Sequence, residues 1–171
     1  MRHHLPLAFL ILLVGCKPSH PPPEGFVESC YGGDFAKHHN GNTPRISIRV
    51  GLAESDWPGL ADSLRRYSVQ HKLDFFDTTM RLDHVHALGL NVCSAKGVYI
   101  SAHEQLWKSN PESDHDPGHT TVTLYSFKRL DTTALEDSLA EHLKERYADA
   151  EVNRLAAVRG PNTSLERTRE R

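Results

Sequence analysis

The stretch Arg45-Ile46-Ser47-Ile48-Arg49-Val50-Gly51-Leu52 alternates strictly between apolar and polar or small residues. Successive side chains of an extended chain point to opposite faces, so Ile46, Ile48, Val50 and Leu52 share one face of a strand. Directly after it, Ser55 or Asp56 can cap a helix in which Trp57, Leu60, Leu64 and Tyr67 recur at helical spacing. A strand leading into an amphipathic helix sets the theme for the rest of the chain.

Further along, residues 73–79 read as a second strand. Leu88–Ser94 and Val98–His103 make a hairpin across Ala95-Lys96-Gly97, and Thr120–Phe127 is rich in Thr, Val and aromatic residues. Thr133 and Glu136 have the spacing of a capping box, and Leu135, Leu139, Leu143 and Tyr147 form an apolar stripe behind it. Glu151–Val158 either extends that helix or makes a short terminal element. The pattern predicts an α+β two-layer sandwich: a mostly antiparallel sheet of four to five strands with two helices on one face, in a βαβββα order loosely like a ferredoxin.

The 171 residues suit one domain, placed here at residues 26–159. Lys plus Arg number 20 against 22 Asp plus Glu, a net charge of −2, which argues against a basic nucleic-acid binder and against an acidic disordered chain. The negative mean hydropathy argues against a multi-pass membrane protein. Residues 160–171 are polar and read as a disordered tail, and Asn162–Arg169 resembles tails translated from repetitive intergenic DNA.

At the other end, Arg2 precedes an apolar run from Leu5 to Val14, followed by Gly15 and Cys16. A helical span of a bilayer core of about 30 Å needs about 20 residues, so this run is too short to cross and fits the apolar region of a signal peptide covering residues 1–15. Leu13-Val14-Gly15-Cys16 resembles the lipobox of bacterial lipoproteins. The resemblance implies cleavage after Gly15, a lipid on the Cys16 thiol, and acylation of the new amino group, two or more chains being what stable anchoring takes. Lys17 stands where an Asp is associated with inner-membrane retention, so the resemblance implies an outer-membrane anchor facing the periplasm. Residues 16–25, with Pro18 and Pro21-Pro22-Pro23, then read as an extended tether.

With Cys16 lipidated, Cys30 and Cys93 remain as one pair in a disulfide-permissive compartment. A bridge between them would contribute on the order of 4 kcal/mol by chain entropy. If Val92, Val98, Ile100, Val122 and Leu124 face the helices, then Asn91, Cys93, Tyr99, His103, Thr123, Tyr125 and Phe127 lie on the opposite face. Those aromatics need a cover or a partner. Phe26–Phe35 can cover them, pinned through Cys30; otherwise Tyr99, His103 and Tyr125 belong to a binding face. Trp107 sits among polar residues in the long stretch from Glu104 to His119, either as a plug into the domain or as a partner anchor.

The twelve histidines are a compositional outlier. His84 and His86 are two apart, and His115 and His119 flank Asp116-Pro117-Gly118, donors suited to zinc or copper although no named metal motif is matched. No Gly-x-Ser-x-Gly elbow and no glycine-rich phosphate loop appears in the sequence. The reading is therefore a lipid-anchored envelope protein with a non-catalytic binding domain, needing no cofactor and having an envelope protein as partner. Its alternatives are an immunity protein against a periplasmic toxin and a histidine-based zinc or copper binder.

Overall fold

The computed structural model describes residues 22–30, 42–107, 118–127 and 130–155. Residues 1–15, Cys16, most of the tether, His115 and the tail at 160–171 lie outside them. The described elements are α1 (Phe26–Cys30), β1 (Asn42–Gly51), α2 (Trp57–His71), β2 (Asp74–Asp77), β3 (Met80–Arg81), β4 (Val85–Ser94), β5 (Val98–Trp107), β6 (His119–Phe127), α3 (Thr133–Arg146) and β7 (Glu151–Arg154).

The fold is α+β with a seven-stranded antiparallel sheet, ordered β2-β4-β5-β6-β1-β7, and β3 pairs with β4 beside β2. That is more strands than the sequence pattern predicts, and the path is not the simple ferredoxin-like order. The additional strands, β3 and β7, are two and four residues long. Neither shows an alternating apolar run, so pairing with a neighbour defines them rather than local pattern. The chain leaves β1, traverses the sheet through α2, and enters β2 at the far edge.

Alternation correctly assigns the inward residues. Ile46, Ile48, Val50, Leu88, Leu90, Val92, Ile100, Val122 and Leu124 are buried beneath α2 and α3, which contribute Trp57, Leu60, Leu64, Tyr67, Leu139 and Leu143 to the same core. Both long helices thus cover one face of the sheet. The short α1 lies on the other, where Phe26 and Cys30 pack with Cys93, Phe76 and Tyr99.

Helix termini differ in detail from the sequence reading. Asp56 occupies the N-cap of α2 but its side chain makes no capping bond, while Pro58 sets the backbone of the first turn. At the other end Lys72 adopts a left-handed φ of 55°, and Leu73 N–H donates to Ser68 O at 2.8 Å. The N-cap of α3 is Thr132, not Thr133. Asp131 Oδ1 accepts the Thr133 N–H at 3.1 Å, and that bond holds the Asp131 carboxyl below the usual range. Glu136, expected in a capping box, instead takes the Thr132 hydroxyl at 2.6 Å and the Arg45 guanidinium at 3.1 Å.

That last contact follows from a register shift between Pro44 and Ile46 in the pairing of β1 with β6. The irregularity makes Arg45 an extra residue in its strand. Its side chain turns to α3, although plain alternation would place it with Ser47 and Arg49.

Candidate functional site

The sheet face away from α2 and α3 is organised as three cross-strand rows. Pro44, Tyr125, Tyr99 and Cys93 form the first, Ser47, Thr123, Ser101 and Asn91 the second, and Arg49, Thr121, His103 and Gly89 the third. The surface therefore runs from aromatic, through hydroxyl and amide, to basic groups within the span of a few residues along each strand.

The first row is built at the α1 end. The sulfur atoms of Cys30 and Cys93 meet at bonding distance with their Cα atoms 5.1 Å apart, the pairing expected from the cysteine count. Phe26 meets Phe76 edge-on at 5.2 Å between ring centroids. Tyr99 and Tyr125, on adjacent strands, are 5.9 Å apart. The Tyr99 hydroxyl donates to Asn91 Oδ1 at 2.6 Å, and Asn91 Nδ2 donates to Thr78 Oγ1 at 3.4 Å. Asn91, buried in the middle of β4, is thus satisfied and fixes the tilt of the Tyr99 ring.

Among the described residues α1 covers one end of this face; Tyr31 and Phe35, the rest of the expected cover, lie outside them. Tyr125, Thr123 and Ser47 are half-buried, and Arg49, Thr121 and His103 are exposed. Partial desolvation over the sheet pulls the His103 imidazole below its ordinary range, which favours its neutral form. A cleft of about 390 Å³ lies beside it, lined by Ala87, Leu88, His103, Glu104 and Gln105. Gly89 completes the third row because the chain around Thr78 crosses it closely: the Thr78 N–H donates to Gly89 O at 2.7 Å. A side chain at position 89 would meet Thr78, backbone included.

The sequence reading grouped Tyr99, His103 and Tyr125 on one face, and the fold brings these together. Trp107 is placed differently: Glu104–Trp107 continue β5, with Trp107 opposite Val85, rather than opening a loop. The weak alternation of Glu104-Gln105-Leu106-Trp107 conceals this, because a partner strand of equal length supports the extension.

Of the expected metal ligands, His84, His86 and His119 are dispersed. His84 is exposed in the turn before β4. His86 lies on the helix side, its Nδ1 2.6 Å from Glu54 Oε1. His119 starts β6 opposite Gly51, with β5 intervening between its strand and that of His86. Among the described residues no group of three or more His, Cys, Asp or Glu side chains is placed to hold a metal ion.

A second concavity, of about 460 Å³, opens between α2 and the β2–β3 segment, with Trp57, Asp62, Arg65, Asp77, Thr79 and Arg81 in its walls. Nothing in the sequence marked it, since its charges are drawn from separate elements. They are already paired: Arg65 with Asp62 at 2.7 Å and over the Phe75 ring, Arg81 with Glu54 at 3.4 Å, Asp77 with the Thr79 N–H at 2.9 Å. Pairing among protein groups makes this a weaker candidate than the open sheet face.

Comparison with protein-family models, with curated proteins and with solved structures returned no match. Among the described residues no helix is long and apolar enough to cross a membrane.

Proposed function

We propose that the chain is a lipid-anchored cell-envelope protein, attached to the outer membrane through Cys16, whose open sheet face binds an envelope protein without catalysis. The observation that carries the binding half is the asymmetry of the two faces. One is covered by α2 and α3, while among the described residues α1 covers one end of the other. Tyr99, Tyr125 and His103 then offer aromatic area and a neutral hydrogen-bonding ring around a strip of small hydroxyl side chains, the mixture enriched in protein interfaces. The anchoring half is supported by the Leu13–Cys16 sequence and by the cysteine pair that an oxidising compartment favours.

Native mass spectrometry of the full-length protein, gently extracted from its own envelope, tests both halves. The reading expects acyl mass that is lost in Cys16→Ser, and a partner at fixed stoichiometry that is lost in Tyr125→Ala/His103→Ala but kept in the α2 surface variant Val69→Ser. Unchanged acyl labelling in Cys16→Ser overturns the anchor. A partner retained by the double variant overturns the binding face.

A further inference from the structure

The layer of helices holds a second arrangement, built where α2 crosses α3. From α2 come Ser63, Tyr67 and His71, spaced four residues apart so that they line one stripe. From α3 come Ser138 and His142, again four apart. Each histidine reaches the serine of the other helix. Ser138 Oγ lies 2.8 Å from His71 Nε2, and His142 Nε2 lies 3.0 Å from Ser63 Oγ and 2.9 Å from Ser63 O. The carbonyl can only accept, so His142 Nε2 carries the proton. The Tyr67 ring sits between the imidazoles, at 4.3 Å from His71 and 5.5 Å from His142. Its hydroxyl donates to Leu135 O at 2.9 Å, so the ring is held from both helices.

Two basic rings therefore flank a buried phenol at a helix–helix contact. Ser63 and Tyr67 are fully buried. Burial pushes the Tyr67 phenol far above its ordinary value, partly offset by a hydrogen bond with Ser138, so it supplies no negative charge to balance an imidazolium. The adjoining charges are Asp62, Arg66 and Lys72 beside the α2 residues, and Asp137, Glu141, Glu145 and Arg146 on α3; all seven are exposed, Asp62 being paired with Arg65 and Asp137 with Arg154. Arg146 extends over Gly59 of α2 and adds positive potential at the same interface. The buried Glu136, two residues before Ser138 on α3, is committed to Arg45 and Thr132. The sheet beneath presents the apolar core.

We propose that this reciprocal serine–histidine clasp is a pH-sensitive latch between α2 and α3, closed while the His71 imidazole is neutral and loosened when it takes up a proton. Burial and the neighbouring His142 both hold the His71 imidazole below its ordinary range, the direction a latch closed at neutral pH requires. The sign follows from linkage. A histidine depressed in the folded state binds fewer protons than in the unfolded chain, so stability rises with pH. The contribution is complete above the ordinary value of 6.5 and is lost as pH falls below it.

Hydrogen exchange of the full chain at about pH 7.5 and about pH 5, corrected for intrinsic rates, tests the latch across the histidine range. Protection of α2 and α3 is expected to fall several-fold at the lower pH relative to β4 and β5, and His71→Gln/His142→Gln is expected to remove that difference. Equal protection at both pH values in the native sequence, or full pH dependence in the double variant, overturns the proposal. Should the double variant not fold, an imidazole titration by NMR decides on the native protein. Helix amides of α2 and α3 that shift together with the His71 ring support the latch; helix amides that ignore it overturn the proposal.

Discussion

Arg45 and Glu136, 91 residues apart in sequence, meet at 3.1 Å between the guanidinium Nε and a carboxylate oxygen, joining the bulge of β1 to the first turn of α3. Arg154 approaches the other carboxylate oxygen at 3.7 Å, so one buried acid ties β1, α3 and β7 together. Removing one partner leaves a desolvated charge short of its counterpart. Arg45→Met is expected to cost about 2 kcal/mol, measured as a lower urea midpoint with an unchanged slope. A midpoint equal to that of the native sequence would show that Arg154 alone satisfies the acid.

The Cys30–Cys93 link spans 63 residues of chain. Chain-entropy reasoning puts its contribution at about 4 kcal/mol, so Cys30→Ser/Cys93→Ser should unfold at markedly lower denaturant than the native protein. The change should also expose Phe76 and Tyr99, readable as a loss of protection in β2 and β5. A reductant should act on the native protein as the double variant does, and should leave the variant unaffected.

Lys72 holds a left-handed conformation at the end of α2, where a side chain costs about 1 kcal/mol and glycine does not. Lys72→Gly should therefore stabilise the fold by up to about 1 kcal/mol, against the usual direction of glycine substitutions. Gly89→Val should do the reverse. The added side chain meets the Thr78 backbone, and overpacking of this kind costs about 1–3 kcal/mol. Equilibrium denaturation of both variants checks the pair of opposite signs.

Global stability should fall in two separate pH windows. His71 and His103 are both held below the ordinary histidine value of 6.5, so their contribution is lost as pH drops below it. Asp131 is held below the ordinary carboxylate value of 3.8; its contribution is present above that value and disappears as pH falls through the lower folded-state range. Thermal melts across both windows should show two descents, with His71→Gln flattening the upper one and Asp131→Asn the lower.

Much of this architecture was legible because it rests on period. Ile46, Ile48 and Val50 alternate, and Leu60, Leu64 and Tyr67 recur every turn; both patterns survive into the core unchanged. Alternation also sorted Tyr99, His103 and Tyr125 onto one face. The misses occur where a distant partner outweighs local pattern. Arg45 leaves the alternation because Glu136 waits on α3, Glu136 abandons its capping box for the same reason, and Glu104–Trp107 become strand because Val85–Leu88 lie alongside. The serine–histidine clasp was invisible because a histidine in a polar helical stripe looks solvated until the opposing helix is known.

The position of β1 has a kinetic meaning. It lies between β6 and β7, so Ile46 and Ile48 wait for partners in the last third of the chain: Leu124 and Val122 on one side, Arg154 and Val152 on the other. The β4–β5 hairpin closes through the short Ala95–Gly97 turn and can assemble early, but the first strand cannot be enclosed until nearly the whole polypeptide has been made. Long-range closure of this kind slows folding. A chain that leaves the ribosome with its first strand unpartnered therefore stays unfolded longest at β1.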